Sequence, residues 1–291
     1  MVCMTERFYL APDSLTILMP SKNAFRLFKG AYNLARSAKL LENDWAKRAF
    51  VSSYFSYKKY WEDPFWGLID RQPQLFQNGD VLDVGANIGY TSCLFAGVLK
   101  PGSMVYSFEP DLDNFKMMAG VIRRKHLSGT IEAINAAVGN ADGSVEFWHN
   151  QEHSGDHRVV TSHFKNSRPE SSQISTVPLT SVDSFVDARK LKSISFIKID
   201  VQGYELAVCE GMTQTLARFP ELCVGCEFAP GGMAELGFDP VGLLNFFRQH
   251  GYHLYVMNRS SIRLAESNET IQQAAGGPGY VDLLCSQRYL T

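Results

Sequence analysis

Hydrophobic runs alternate with amphipathic stretches along most of the chain. Runs rich in Val, Ile, Leu and Phe predict strands, and apolar positions that recur with a helical period predict helices. The predicted strands span residues 80–84, 104–108, 130–135, 194–199, 222–228, 253–257 and 280–286. The predicted helices span residues 88–99, 111–126, 203–218 and 240–250. Strands that alternate with helices predict an α/β fold with a mostly parallel sheet.

Two regions depart from this alternation. Residues 140–190 hold two short β-like runs, Ser144–Trp148 and Ser175–Leu179, on either side of a polar loop. We therefore expect a β-rich insertion there. Residues 1–75 precede the first strand and predict a helical N-terminal extension, which leaves residues 76–291 as the main domain.

Composition and charge are those of an ordinary soluble protein. Of the 291 residues, 45% are hydrophobic and 20% are charged. The formal net charge of −2 gives no global field that would attract nucleic acid. No apolar run approaches the roughly 18 residues of a membrane-spanning helix, and the N-terminus lacks the apolar region of a secretory signal. These features predict a cytoplasmic protein.

The six cysteines are scattered along the chain, which suits a reducing compartment. Cys223 and Cys226 have C-x-x-C spacing but lie in a predicted strand, with no second pair. We expect them to be buried core thiols, and a redox or metal role is the alternative.

The segment Val81–Thr91 predicts a ligand-binding turn between a strand and a helix. An apolar run reaches Asp83, turns at Gly85 and enters an amphipathic stretch near Ile88. Gly85 permits a sharp turn, and the first N–H groups of the helix point toward the same place. Such a turn binds a nucleotide-like cofactor at the carboxyl end of the first strand.

A second carboxylate narrows the choice of cofactor. Glu109 ends the second predicted strand, 24 residues after Gly85, where a carboxylate accepts hydrogen bonds from a ribose diol. Its charge disfavours the 2′-phosphate of NADP. Asn87 occupies the place of the glycine that admits a pyrophosphate in dinucleotide-binding proteins, so the loop favours S-adenosylmethionine.

Four blocks of the chain resemble FkbM-type class I S-adenosylmethionine-dependent methyltransferases. They are Asp83–Gly89, Phe108–Pro110, Ala137–Gly139 and Ile197–Glu205. The family usually has glutamate where this chain has Gln202. The resemblance implies a Rossmann-like, seven-stranded, mostly parallel sheet of order 3-2-1-4-5-7-6 with an antiparallel last strand. It also implies a hydroxyl of a sugar or natural-product small molecule as the methyl acceptor.

The resemblance and the turn together predict the cofactor-binding residues. Asn135 and Ala136, at the end of the third strand, are expected beside the adenine. The full predicted set is Asp83, Gly85, Ala86, Asn87, Gly89, Tyr90, Thr91, Glu109, Pro110, Asn114, Asn135, Ala136, Asp200 and Val201.

The fourth block also predicts catalytic groups. The run Ser195–Ile199 is apolar on both faces, which is typical of a central parallel strand, and Asp200 ends it. We expect Asp200 to face the cleft. Glu205, in the first turn of the next helix, is either a second catalytic carboxylate or a group that stabilises the helix N-terminus. Glu227, at the end of the fifth strand, is a predicted acceptor-binding residue and a further candidate base.

The polar loop of the insertion contains a cluster of histidines. The stretch from His153 to Arg158 combines a base, a carboxylate and a guanidinium. We predict that His153, His157 and Arg158 bind the acceptor and that His157, oriented by Asp156, acts as a base. A metal site would need this segment to be helical, and Gly155 argues against a helix, so no metal is predicted. An ordinary solvated loop is the alternative.

The N-terminal extension interleaves basic and aromatic residues from Lys22 to Tyr60. Such a segment packs on its own domain, contacts a membrane surface peripherally or forms a homodimer. For the whole chain we predict an O-methyltransferase. The alternatives are N-methylation, metal-assisted methyl transfer and a non-catalytic protein that keeps the cofactor-binding fold.

Overall fold

The computed structural model describes residues 44–59, 63–150, 156–167, 173–276 and 279–290. The chain divides into two compact units, residues 1–53 and residues 54–291. The predicted helical extension over residues 1–75 therefore lies largely outside the described residues. Its described part contains helix α1 (Asp44–Tyr57), helix α2 (Pro64–Arg71) and a 3-10 turn (Pro73–Phe76).

The main sheet of the second unit has eight strands. In chain order they are β1 (Asp80–Val84), β2 (Val105–Phe108), β3 (Ile131–Ile134), β8 (Ile194–Ile199), β9 (Cys223–Phe228), β10 (His253–Met257), β11 (Ile262–Leu264) and β12 (Val281–Ser286). Their order across the sheet is β3-β2-β1-β8-β9-β12-β10-β11. β12 runs antiparallel to both β9 and β10.

This order confirms the predicted 3-2-1-4-5-7-6 arrangement and corrects the number of strands. The additional strand, β11, forms a short antiparallel edge beside β10. The direction of the connections reverses between β1 and β8, so the carboxyl ends of these two central strands border a crevice at the edge of the sheet.

The remaining helices of the second unit are mostly short. They are α3 (Tyr90–Ala96), α4 (Leu112–Arg124), α5 (Ser162–Ser167), α6 (Val182–Arg189), α7 (Glu205–Glu210), α8 (Thr213–Arg218), α9 (Pro230–Glu235), α10 (Pro240–Gln249) and α11 (Asn268–Gly276). The single helix predicted over 203–218 is wrong, because the chain breaks it between α7 and α8. Gly211 at that break lies so close to the backbone that a Cβ there would approach the Gly139 carbonyl oxygen to 2.0 Å.

A second sheet has four strands, and all but the first of them lie in the β-rich insertion predicted over residues 140–190. They are β4 (Ala137–Gly139), β5 (Gly143–Trp148), β6 (Arg158–Val159) and β7 (Ile174–Ser181), in the order β4-β7-β5-β6. Apart from the parallel pair β4 and β7, the neighbouring strands are antiparallel.

Apolar side chains bury both faces of the main sheet. On one face, Phe65 of α2 packs edge-on against Phe95 and Phe196, with ring centroids 5.7 and 6.0 Å away. Cys223 and Cys226 are buried in β9, as predicted. None of the helices described is both long enough and apolar enough to cross a bilayer.

Candidate cofactor and acceptor site

The turn after β1 has an unusual backbone. Gly85, Asn87 and Gly89 have φ values of 78°, 50° and 84°, in the left-handed region. A Cβ at Gly85 would lie 1.8 Å from the Asp200 carbonyl oxygen, so only glycine lets this turn approach the end of β8. Helix α3 begins at Tyr90, slightly later than predicted, with Gly89 as its N-cap.

Glu109 lies at the carboxyl end of β2 and faces the turn. Its Oε2 accepts a hydrogen bond from the Asn87 N–H at 2.8 Å, and its Oε1 accepts one from the Asp111 N–H at 2.9 Å. Burial raises the pKa of Glu109 to about 8. Hydrogen-bond donors on a ligand favour the ionised form, and an ionised carboxylate offers about four acceptor positions. These two bonds therefore leave acceptor capacity for two further donors, which is what a ribose diol requires.

Asp83 lies beneath the turn, and the structure corrects its predicted contact with the cofactor. Its side chain is fully buried, and Oδ2 accepts hydrogen bonds from Thr91 Oγ1 at 2.7 Å and Ser92 Oγ at 2.6 Å. A carboxylate sealed in this way positions the start of α3 rather than touching a ligand. The Thr91 hydroxyl donates to this buried carboxylate, so the predicted contact of Thr91 with the cofactor is corrected as well.

Tyr90 is also directed into the core. Its ring is buried and contacts Phe55 edge-on, with centroids 5.2 Å apart. Ala86, Ala136 and Asn114 are buried as well. At Tyr90 the structure therefore corrects the prediction of a side-chain contact with the cofactor.

Asn135 has a different role from the one predicted for its amide nitrogen. Nδ2 donates to the Glu109 carbonyl oxygen at 2.8 Å and to the Pro110 carbonyl oxygen at 3.0 Å. These bonds use both N–H donors of the amide. Asn135 thus fixes the backbone that carries Glu109, and its amide nitrogen is not available to an adenine edge.

Sequence reasoning missed Lys198, a buried lysine near the carboxyl end of β8. Its Nζ donates to the Gly85 carbonyl oxygen at 2.9 Å and lies 3.3 Å from Asp83 Oδ1 and 3.4 Å from Asp200 Oδ2. Burial lowers the pKa of Lys198, but these two carboxylates outweigh burial and raise it above its usual value. The signal in the sequence was a single charge inside an otherwise apolar strand.

Asp200 follows directly after β8, and 37% of its side chain is exposed. Gln202 Nε2 donates to Asp200 Oδ1 at 2.9 Å and to Glu227 Oε2 at 3.3 Å. Burial acts to raise the pKa of Asp200, but the charges of Lys198 and Lys58, together with the hydrogen bonds from Gln202 and Lys198, outweigh burial and lower it. The amide of Gln202 holds together two carboxylates that would otherwise repel each other.

Glu205 does not face the crevice. It is fully buried, and its Oε1 accepts hydrogen bonds from the Val201 N–H at 3.1 Å and the Gly203 N–H at 3.0 Å. Burial raises its pKa to about 7. The prediction of a catalytic role for Glu205 is therefore corrected, because this carboxyl fixes the loop after β8 from inside the core. The Val201 backbone is held by the same contact.

The insertion brings two histidines to Asp111, the N-cap of α4. Asp111 Oδ2 lies 2.7 Å from His149 Nδ1 and 3.7 Å from His157 Nε2. The predicted orientation of His157 by Asp156 is wrong, because His157 Nδ1 accepts the Asn150 N–H at 2.9 Å. Burial acts to raise the pKa of Asp111, but the hydrogen bond from His149 and the helix N–H groups lower it to about 2.

Asp111, His149 and His157 are grouped like the ligands of a metal ion, but the position of the ring proton on His157 does not suit a metal site. The three potential ligand atoms lie within 4.8 Å of one another. A backbone N–H can only donate, so Nδ1 of His157 must be the acceptor, and the ring proton is on Nε2. Nε2 then has no lone pair for a cation, and it points at the Asp111 carboxylate instead.

The other residues predicted to bind the acceptor are Arg158, His153 and Glu227. Arg158 forms ion pairs with Asp156 at 2.8 Å and with Glu235 at 2.6 Å, which fix its guanidinium at the edge of the insertion. His153 lies outside the described residues. Glu227 is half-buried and lies opposite Asp282 in the register of β9 and β12.

Several known proteins are similar to this chain. A curated relative, the hexuronic acid methyltransferase AglP of Haloferax volcanii, is 30% identical over 142 residues, which are 48% of this chain and 53% of that protein. The chain thus matches about half the length of this relative.

Solved structures to which this chain is similar include two methyltransferases. The methyltransferase FkbM from Methylobacillus flagellatus is 15% identical with a TM-score of 0.45, over 72% of this chain and 43% of that one. An O-methyltransferase from Bacillus cereus in complex with SAH is 13% identical with a TM-score of 0.45, over 88% of this chain and 97% of that one.

A family model supplies the assignment. The methyltransferase FkbM domain matches residues 83–254, from the end of β1 to the start of β10. This span contains the turn at Gly85, Glu109, the insertion, and the carboxylates at the ends of β8 and β9. The chain therefore belongs to the FkbM methyltransferase family.

Proposed function

We propose that this protein transfers a methyl group from S-adenosylmethionine to a hydroxyl of a sugar or a related small molecule. The observation that carries the proposal is Glu109, a buried carboxylate with spare acceptor capacity at the edge of a glycine turn. Residues 76–291 are the proposed catalytic domain. The bound cofactor supplies an electrophilic methyl group, and alignment of the acceptor supplies most of the rate, on the order of 7–11 kcal/mol.

The proposed cofactor site consists of Glu109 and the turn after β1. Glu109 would accept hydrogen bonds from the ribose, and Asn135 keeps that carboxylate in place through the main chain. The turn, with Gly85 and the first N–H groups of α3, would hold the amino-acid part. Asp83 and Lys198 support the turn from below.

The charge of the crevice supports a neutral acceptor atom. Asp200 is ionised and partly exposed, and Glu227 lies within reach of the same Gln202 amide. A carboxylate presented as the methyl acceptor would be repelled by Asp200, whereas a hydroxyl donates a hydrogen bond to it. The curated relative acts on a hexuronic acid, which carries both kinds of group, so we propose methylation at a hydroxyl of such a sugar.

The first experiment is binding followed by turnover. Calorimetric titration with S-adenosylmethionine and S-adenosylhomocysteine tests the cofactor site, with NAD as a control ligand. Glucuronic acid, galacturonic acid, glucose and glucosamine then serve as acceptor probes, with S-adenosylhomocysteine formation and product mass as readouts. Mild alkali removes a methyl ester and leaves a methyl ether, so it tells carboxylate methylation from hydroxyl methylation. Failure to bind either sulfur ligand would overturn the proposal.

Asp200 also favours a second candidate, methylation of an amine. A partly exposed, ionised carboxylate attracts a protonated amino group as readily as it accepts from a hydroxyl. Glucosamine compared with glucose separates the two functions, because fragmentation of the product shows whether nitrogen or oxygen carries the new methyl group.

A further inference from the structure

Glu227 and Asp282 form a pair of carboxylates at the wall of the crevice. They are directly opposite each other in the antiparallel register of β9 and β12, and both are half-buried. Side chains in that relation have Cβ atoms about 4.5–5.5 Å apart. Two ionised carboxylates at such a distance repel each other, so the pair retains a proton that an isolated carboxylate would lose.

The surroundings of the pair reinforce this effect. Other charged groups also act on the two carboxyls: Asp200, Glu205 and Lys58 on Glu227, and Asp200, Asp63, Lys58 and Lys198 on Asp282. Acidic groups predominate around Glu227. Burial and the neighbouring carboxylates raise the pKa of Glu227 well above its ordinary value, and the pKa of Asp282 is raised to about 7.

We propose that Glu227 is the base that removes the proton from the acceptor hydroxyl, and that Asp282 is a positioning residue that makes Glu227 more basic. The inference rests on the proposed function and identifies the residue that performs its proton transfer. Its basis is the cross-strand pair together with the Gln202 bridge, which places Glu227 beside the exposed Asp200 at the end of the central strands.

The other carboxylates near the crevice are poorer bases. Asp200 lies 3.4 Å from Lys198 Nζ and accepts from Gln202 at 2.9 Å, so it remains ionised and has little tendency to take a proton. Glu205 is sealed in the core. Catalytic efficiency of a base is greatest when its pKa is close to the working pH, and the surroundings of Glu227 raise its pKa from the acidic range of an ordinary glutamate.

The step conserves atoms and charge. The O–H bond of the acceptor breaks, and its proton passes to a carboxylate oxygen of Glu227. The electron pair of the acceptor oxygen forms the bond to the methyl carbon, and the pair of the broken carbon–sulfur bond stays on sulfur, which becomes a neutral thioether. Glu227 returns the proton to water after the product leaves.

The test compares Glu227→Gln and Asp282→Asn with matched controls on exposed ion pairs. Glu146→Gln removes a partner of Lys165, and Asp187→Asn removes a partner of Arg218. Turnover is measured from pH 5 to 9 with whichever sugar probe the wild-type protein methylates. S-adenosylhomocysteine affinity is measured for every variant, to show that the cofactor site is intact.

We expect kcat of the wild-type protein to rise with pH in a range well above the ordinary glutamate pKa. Glu227→Gln should lower kcat by roughly 10²–10⁴-fold and abolish this rise. Asp282→Asn should move the rise to lower pH by about one unit while S-adenosylhomocysteine affinity changes less than about threefold, because only one like charge has been removed. A Glu227→Gln variant that keeps wild-type turnover, or a rise that Asp282→Asn does not move, would overturn the assignment.

A second readout does not depend on turnover. In protein labelled with ¹³C at glutamate carboxyls, Glu227→Gln identifies the Glu227 signal, and its titration is followed without ligands. We expect titration well above the ordinary range in the wild-type protein and a lower value in Asp282→Asn. An ordinary value in both proteins overturns the base assignment alone. A wild-type protein that binds S-adenosylmethionine but methylates no hydroxyl overturns the proposed function, and the base assignment fails with it.

Discussion

Asn87 donates its backbone N–H to the Glu109 carboxylate at 2.8 Å. This bond joins the turn after β1 to the end of β2. The backbone of Asn87 itself is left-handed, with a φ of 50°. The two sequence blocks that predicted the cofactor site are therefore one structural unit, and a change at Glu109 acts on the turn as well as on the ligand.

Replacement of Glu109 tests that unit. Glu109→Ala removes the acceptor for the Asn87 and Asp111 N–H groups and for the proposed ribose contact. We expect affinity for S-adenosylhomocysteine to fall by roughly 1.5–3 kcal/mol, the range for hydrogen bonds to charged groups. Calorimetry measures the change, and Glu146→Ala, in an exposed ion pair of the insertion, is the matched control. An unchanged affinity in Glu109→Ala would refute the ribose assignment.

Lys198 gives a prediction about stability. Lys198→Met leaves the fully buried Asp83 without its cation, and a lone buried charge costs about 3–5 kcal/mol. Denaturant unfolding should show a loss of this order. The double variant Lys198→Met/Asp83→Asn removes the charge as well, so we expect it to be more stable than Lys198→Met alone. If the double variant is the less stable of the two, the charge of Asp83 is not the cause.

Local signals in the sequence were sufficient to predict the turn and the carboxylate that the structure joins. Gly85, Asn87 and Glu109 were predicted because glycine turns and carboxylates at strand ends depend on neighbours along the chain. The sheet order followed from the family resemblance, and the short edge strand β11 was missed because three residues carry little periodicity.

The remaining contacts join residues that are far apart in sequence. Asp111 and His149 are 38 residues apart, and Gln202 and Glu227 are 25 apart. Nothing local determines which donor meets which acceptor across such gaps. The pattern in β8 marked Lys198 as unusual, but only the packing of β1 against β8 shows that Asp83 and Asp200 share its charge.

The histidine pair predicts weak metal binding. If Nδ1 of His157 accepts the Asn150 N–H, a zinc ion has at most His149 and Asp111 as ligands, and it must break their 2.7 Å contact. We expect calorimetry with zinc chloride to show no stoichiometric site. EDTA should leave the thermal midpoint unchanged, and His157→Ala should not alter the response to zinc. Tight binding of one zinc ion that His157→Ala abolishes would show that the proton arrangement is different.

Stability should fall as pH rises from about 5 to 8. The folded-state pKa of Glu205 is about 7 and that of Glu109 about 8, both raised by burial, so the folded protein retains protons that the unfolded chain releases. Their contribution is complete below the ordinary glutamate pKa and is lost as pH rises through the folded values. One unit of pKa difference is worth roughly 1.4 kcal/mol, so Glu205 alone accounts for about 3 kcal/mol.

Asp111 changes the stability with pH in the opposite direction. Its pKa is lowered to about 2, so its contribution to stability is lost only under strongly acidic conditions. The optimum should therefore lie near pH 5. Urea unfolding at pH 5, 6, 7 and 8 measures the slope, and Glu205→Gln should reduce it. The amide introduced by this substitution keeps a carbonyl acceptor for the Val201 and Gly203 N–H groups but cannot ionise. A Glu205→Gln variant with the full wild-type slope would show that Glu205 is already charged in the folded protein at pH 5.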